Sequence, residues 1–156
     1  MTPEQLRDLL APIAQRVRDK ALDKSVEADL NHTFPASGAV FKDIFAACQG
    51  AVEAGWMCSR EADGIKYGRV IKAGPELNGF SVDVVEMNNI RGPHHRHPNG
   101  EIDMVMPLTE NAKFDGHGAG WVVYEPDSAH YPTVSDGKAL VLYLLPQGAI
   151  EFTKSR

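Results

Sequence analysis

The segment Gly92-Pro93-His94-His95-Arg96-His97-Pro98-Asn99-Gly100-Glu101-Ile102-Asp103 holds three of the chain's six histidines and runs on into Met104-Val105-Met106. On extended backbone, residues two apart point the same way, so His95 and His97 face one side while His94 and Arg96 face the other. Asn99-Gly100 is a hairpin-turn pair, and a chain that reverses there returns antiparallel with Glu101 beside the two imidazoles. Beyond the turn, Glu101, Asp103 and Val105 share one face, and Ile102, Met104 and Met106 share the other. The first face is polar near the histidines and fits a lumen. The second is wholly apolar and is expected to be buried against helices or a partner subunit.

Moving outward, the chain from Trp56 to the C-terminus consists of short runs of Val, Ile, Phe, Tyr and Trp. They are separated by Asp63-Gly64, Gly74-Pro75, Asn78-Gly79, Asp115-Gly116 and Asp136-Gly137. Turn pairs at such intervals predict strands near 56–60, 65–72, 80–88, 101–107, 120–125, 139–145 and 149–153. So many short strands in one stretch predict an antiparallel β-barrel or jelly roll, which removes exposed sheet edges. The first third reads differently. Thr2, Pro3 and Gln5 make a helix start with a capping box, and Leu6, Leu9, Leu10, Ile13 and Val17 recur at helical spacing to about residue 22. After a polar stretch ending in His32-Thr33-Phe34-Pro35, Ser37 is placed to cap a second helix carrying Val40, Phe41, Ile44, Phe45, Cys48 and Val52, with Gly55 to stop it. The expected organisation is a mainly β fold: a helical segment of two helices over 1–55 packed on a β-barrel over 56–156, one structural domain overall.

Composition narrows the function. With 156 residues, 43% of them hydrophobic, the chain suits a single globular core. Its net charge of -5 disfavours a general grip on phosphate backbones, so nucleic acid is not an expected partner. Cys48 and Cys58 form no disulfide framework or Cys-x-x-Cys motif, which suits a reducing cytoplasm. The N-terminal residues carry charges throughout, unlike a signal peptide or an apolar span, so no membrane association is expected. No phosphate-cradling loop and no serine nucleophile elbow occur, which removes phosphoryl transfer and serine hydrolysis.

His95, His97 and Glu101 supply three positions of a divalent transition ion and leave room for a fourth ligand and for substrate or water. His130 is the candidate fourth ligand, with His117 as its competitor. Two imidazoles, a carboxylate and a further imidazole suit Fe, Mn, Ni, Co or Zn. The alternative is a solvated histidine loop whose carboxylate only makes hydrogen bonds. His32 reads as a residue of the helix linker.

His-x-His, three residues and Glu resemble the first motif of the cupin superfamily. The second motif is matched in part: Gly120 and Pro126 fit its opening, Ser128 stands where a glycine is usual, and His130 comes one residue early. The string RGPHHRHPNGEIDMVMPL, the helical N-terminal portion and GWVVYEPDSAHYPTV resemble the 4-hydroxylaminobenzoate lyase family over nearly the whole chain. That resemblance implies a cytoplasmic carbon–nitrogen lyase of nitroaromatic degradation that converts 4-hydroxylaminobenzoate to 3,4-dihydroxybenzoate and ammonia. The implied partner is a small aromatic carboxylate, and cupins are commonly homodimers, for which the Ile102, Met104, Met106 face is available.

For such a reaction, Glu101 is a candidate proton shuttle as well as a ligand, and His94 and Tyr131 are candidate assistants. Arg96 and Arg91, with Arg69 behind them, are candidates to hold the benzoate carboxylate through a two-donor fork. Two other readings fit the same residues: an iron-dependent cupin dioxygenase acting on an aromatic substrate, and a ligand-binding cupin without turnover.

Overall fold

A computed structural model describes residues 2–153. Three helices, α1 (Pro3–Arg16), α2 (Lys24–Thr33) and α3 (Ala39–Glu53), precede ten strands. These are β1 (Arg60–Ala62), β2 (Ile65–Ile71), β3 (Phe80–Arg91), β4 (His95–His97), β5 (Glu101–Pro107), β6 (Lys113–Phe114), β7 (Gly120–Tyr124), β8 (Ser128–His130), β9 (Thr133–Pro146) and β10 (Glu151–Phe152). All the pairings are antiparallel. One seven-stranded sheet runs β1-β2-β3-β9-β5-β7 with β6 also on β9, and a three-stranded sheet runs β10-β4-β8. The two antiparallel sheets make a jelly-roll-like arrangement rather than one closed barrel.

The alternation read along β5 sorts two cores. Ile102, Met104 and Met106 join Val82, Val84, Leu140, Leu142, Leu144, Trp121 and Val123 on the outer face of the large sheet. Leu6, Leu10, Ile13, Val26, Leu30, Phe41 and Ile44 cover that face from the three helices. The apolar stripe is therefore filled by the chain's own helices and is not available for a dimer contact. The opposite face carries Met87, Val105, Phe114, Val122, Val141, Tyr143 and Leu145 and looks toward the small sheet. Burying a strand on both faces removes water from everything between, which is why Glu101 and Asp103 sit at 0% exposure.

Several expectations need correction. The first helix ends at Arg16 instead of near 22, because Asp19 adopts φ 58 and turns the chain. The polar stretch after it is a third helix: the Asp23 side chain accepts from the backbone N–H groups of Ser25 and Val26, and Val26 and Leu30 bury one turn apart. The last helix is capped by Gly38 without a side-chain bond, not by Ser37. Among the strands, 56–60 is mostly turn, and the short β6 and β8 were not anticipated. Asp136-Gly137 lies inside β9 at positive φ, opposite Asn89 at φ 45, where the β3–β9 register shifts. That pair makes a bulge instead of a turn, with the Gly137 N–H donating to the Asn89 side chain at 3.1 Å.

Helix α2 also closes an edge. The Trp121 N–H donates to Asn31 Oδ1 and the Trp121 carbonyl accepts from Asn31 Nδ2, each at 2.9 Å. The Val123 N–H donates to Glu27 Oε1 at 2.9 Å, and the Val123 carbonyl accepts from Lys24 at 3.0 Å. Side chains thus supply the ladder partners that a missing neighbouring strand would have given β7. Gly120 is required there: its φ is 143, and a Cβ would stand 2.7 Å from Asn31 Oδ1.

Candidate metal centre

The His-x-His pair lies on β4 and its partners come from both sheets. β4 pairs with β8 so that His95 stands opposite His130 and His97 opposite Ser128. Antiparallel partners project to the same side, so His130 joins His95 and His97 facing inward. Glu101 arrives from the large sheet, directly after Gly100, whose φ of 86 sets the turn and whose Cβ would collide with the Tyr124 carbonyl at 2.8 Å. His95 Nε2 lies 2.9 Å from His97 Nε2 and 3.1 Å from His130 Nε2. Glu101 oxygens approach His97 Nε2 at 3.3 Å and His95 Nε2 at 3.9 Å. The four ligand atoms all fall within 4.8 Å of one another. His117 sits instead in a bridge with Phe114, so His130 is the histidine that completes the group.

The surroundings orient these rings. His130 Nδ1 is 2.6 Å from Asp115 Oδ2, and the same oxygen accepts from the Tyr124 hydroxyl. Asp115 Oδ1 accepts from the Thr133 N–H at 2.9 Å. Burial works to raise the Asp115 pKa, but the bonds from His130 and Tyr124 outweigh it and hold the carboxyl below its usual range. A carboxylate at Nδ1 fixes the proton there and leaves the Nε2 lone pair aimed inward. The Ser128 hydroxyl plays the corresponding part for His97, 2.9 Å from Nδ1. Ser128, where cupins usually have glycine, is thus in contact with the site.

Electrostatics favour the ligating states of His95 and Glu101. Burial pushes the His95 pKa down to about 4, so its imidazole is neutral near pH 7. Burial opposes ionisation of Glu101, yet contacts with His97 and Asp103 and the charge of the imidazoles bring it below its ordinary value. Asp103, two residues on, is driven well above its usual range by burial and then by the Glu101 charge, so it is held as the neutral acid.

These residues fit a metal ion. The oxygens of Glu101 are buried without a hydrogen-bond partner. Imidazole nitrogens that converge to 2.9 and 3.1 Å have the separation of neighbouring ligands sharing one ion at about 2.0–2.1 Å. A cation would satisfy the inward lone pairs and the orphaned carboxylate together.

Two predictions follow from this arrangement. Asp115→Ala is expected to weaken metal affinity about 10- to 100-fold, read by competition with a chromophoric chelator, because His130 loses the group that sets its tautomer. For the metal-free protein, the neutral His95 of the fold competes with a protonated His95 of the unfolded chain. Its contribution is complete above pH 6.5 and is lost as pH falls from 6.5 to about 4. Urea midpoints should drop across that window by an amount worth about 3 kcal/mol; a midpoint flat from pH 7 to 4 would contradict the burial of a neutral ring.

An open cavity of about 940 Å³ leads to His95. Arg60, Arg69, Arg91, Tyr131, Tyr143 and Phe152 are among its walls. Its size suits a small aromatic molecule. Arg91 lies 4.4 Å over the Tyr131 ring and, among the described residues, has no carboxylate within salt-bridge distance. Arg69 is engaged by Asp83 at 3.0 and 3.1 Å.

Arg96 departs from expectation. Its guanidinium is held by Glu151 at 2.8–3.1 Å and by Asp127, on the face of β4 away from His95, and it does not line the cavity. Paired with two carboxylates on that outer face, the guanidinium is turned away from the cavity. His94 likewise faces away: Nδ1 contacts the Thr153 hydroxyl, the ring packs 4.8 Å from Tyr131, and the residue lies outside the cavity lining. Tyr131 does line it. A second hollow of about 440 Å³, near Arg18, Lys20, Asn99 and Gln147, contains none of the converging residues.

Asp115, Tyr124 and Tyr143 were not singled out from the sequence, and Ser128 was noted only as standing where a glycine is usual. Asp115-Gly116 carried only a turn signal, and nothing local to it points to His130, fifteen residues away.

The chain is similar to known proteins over most of its length. The family model described as PnbB, 4-hydroxylaminobenzoate lyase, matches residues 8–152. A 4-hydroxylaminobenzoate lyase of Nocardioides sp. (strain LMS-CY) is 34% identical over 97% of this chain and 95% of its own. One from Pseudomonas putida is 31% identical over 96% and 94%. Among solved structures, an RmlC-like cupin protein of Ralstonia eutropha JMP134 aligns with a TM-score of 0.42 and 11% identity over 56% of this chain and 59% of its own. With a family match that runs through both helices and strands and takes in every residue of the converging group, the chain belongs to the 4-hydroxylaminobenzoate lyase family.

Proposed function

We propose that the protein converts 4-hydroxylaminobenzoate and water to 3,4-dihydroxybenzoate and ammonia, at a site where one divalent ion (Fe, Mn, Ni, Co or Zn) is held by His95, His97, Glu101 and His130. The observation that carries the reading is the family match over residues 8–152. The atoms balance without an oxidant: the N–O, C–N and one ring C–H bond break, two ring C–O bonds form with oxygen from the hydroxylamine and from water, and nitrogen leaves as ammonia. Such an ion acts as a Lewis acid toward a hydroxylamine oxygen or a water molecule. Arg91, on the cavity wall, pairs with the substrate carboxylate and so orients the ring. Tyr131, also on the wall, and Glu101 are the groups offered for moving protons at the nitrogen and the attacking water.

The protein is further proposed to work in the cytoplasm as a homodimer; among the described residues no helix is long and apolar enough to cross a membrane. A dimer must use a surface other than the Ile102, Met104, Met106 stripe, and light scattering of the purified protein gives its state. The test of function is anaerobic turnover with purified, metal-replete protein, following 3,4-dihydroxybenzoate and ammonia together. Equimolar products without oxygen support the lyase. A requirement for oxygen turns the reading to a dioxygenase, and absence of product sinks it.

A further inference from the structure

Tyr67 and Phe152 are the large apolar side chains that remain exposed among the described residues, at 37% and 68%, and both line the cavity that leads to His95. Phe152 belongs to β10, a two-residue strand at the edge of the small sheet. Its register is informative: Phe152 stands opposite His95, and Glu151 opposite Arg96. Phe152, His95 and His130 therefore form a row on the inner face, while Glu151 and Arg96 pair on the outer face. The Phe152 ring lies 5.8 Å from the His95 ring at 69°. Two residues of ladder are little to hold a strand. β10 is tied down otherwise: Arg96 makes three contacts of 2.8–3.1 Å to the Glu151 carboxylate, the Thr153 N–H donates to the His94 carbonyl at 2.9 Å, and Arg69 donates to the Gly148 carbonyl at 3.2 Å.

We infer that β10 is a latched wall of the active cavity, in which the Arg96–Glu151 pair holds Phe152 in place as the platform on which the substrate's aromatic ring stacks. The inference rests on the aromatic substrate class proposed above. It gives the exposed phenyl ring a partner: a planar ring entering the cavity covers apolar surface that otherwise faces water, at the edge of the ligand group. It also accounts for Arg96, whose fork is spent on the strand beneath the substrate and not on the substrate. Phe152 selects for planar rings, and Arg96 and Glu151 act as positioning residues through it.

The test uses the full chain loaded with metal, and calorimetric titration with benzoate and with cyclohexanecarboxylate, which share a carboxylate and ring size but differ in planarity. The wild type is expected to prefer benzoate. Phe152→Ala should weaken benzoate about tenfold and leave cyclohexanecarboxylate nearly unchanged, while Phe152→Tyr keeps the preference. Arg96→Ala and Glu151→Ala should each weaken benzoate about threefold, with the double variant no worse than either. Metal content measured for every variant shows whether the ligand group is intact.

An unchanged benzoate affinity in Phe152→Ala overturns the platform. A harmless Glu151→Ala beside a damaging Arg96→Ala overturns the latch and returns Arg96 to a direct grip on the carboxylate. If the wild type prefers benzoate but does not turn over 4-hydroxylaminobenzoate, the reaction assignment fails and the platform stands. If it turns the substrate over and shows no preference for the planar acid, the platform fails and the reaction stands.

Discussion

Replacing His97 with Ala is expected to remove the bound metal and lower turnover of 4-hydroxylaminobenzoate by at least about a thousandfold. His97 is held on both ring nitrogens: Nε2 lies 2.9 Å from His95 and 3.3 Å from Glu101, its Nδ1 is set by Ser128, and the side chain is 0% exposed. His95→Ala and His130→Ala should behave alike, since each removes one of the converging nitrogens. Metal analysis together with product assay checks the effect, and near-ultraviolet circular dichroism checks that the sandwich is retained. Benzoate binding separates the outcomes further. A ligand-binding cupin without turnover would lose the metal in these variants and bind benzoate much as before, whereas the enzyme loses product formation. A His97→Ala protein that keeps both metal and turnover would remove the proposed centre.

Arg91→Ala is expected to raise KM about 10- to 100-fold with kcat changed far less. A charge-assisted fork to a carboxylate contributes about 1.5–3 kcal/mol, and the carboxylate lies across the ring from the reacting nitrogen. Interactions at a remote group bind ground state and transition state alike, so their loss is seen in KM. Arg91 is the better candidate among the wall arginines for physical reasons. Arg69 already has Asp83 and the Gly148 carbonyl, whereas Arg91 is stacked on Tyr131 with its donors uncommitted to any carboxylate of the described residues. Arg91→Lys should recover part of the loss, since the charge returns without the planar fork. A KM for Arg91→Ala within about twofold of wild type would move the carboxylate to Arg60 or elsewhere on the wall.

The metal centre and the cavity together explain why the fold has two unequal sheets. The small sheet carries three imidazoles and Phe152 on one face, while the large sheet contributes Glu101 and a wall of buried apolar residues. The three helices make that wall dry from behind by covering Ile102, Met104 and Met106. In such surroundings a carboxylate without a partner is costly, and a bound metal ion would be a partner for the Glu101 oxygens.

Much of this was legible along the chain. Alternation over 101–107 assigned Glu101 to a polar lumen and Ile102, Met104 and Met106 to an apolar layer, because a strand's side chains alternate strictly whatever it pairs with. His95 and His97 were legible as a same-facing pair for the same reason, and the turn at Asn99-Gly100 brought Glu101 to them. These features are local: spacing on one strand and one turn decide them. The second helix, over 24–33, was obscured because its apolar signal is only Val26 and Leu30, and its remaining polar side chains act at a distance by closing the edge of β7. The Ile/Met face had two possible covers in the sequence, and only the folded helices decided between them.

Three-dimensional pairing also decided His130 over His117, since both are isolated histidines and only the β4–β8 register places one of them opposite His95. Asp115 could not be found earlier for the same reason: a single carboxylate gains its role from the ring it meets. Arg96 shows the limit most plainly. Its place on the outward face of β4 was set by its odd position between two inward histidines, but that Glu151 would be waiting there depended on β10 returning to the sheet some fifty residues later. Alternation and turn chemistry are properties of neighbouring residues and survive in one dimension; ligand completion, charge pairing and cavity walls are made between distant segments, and only the tertiary structure brings those together.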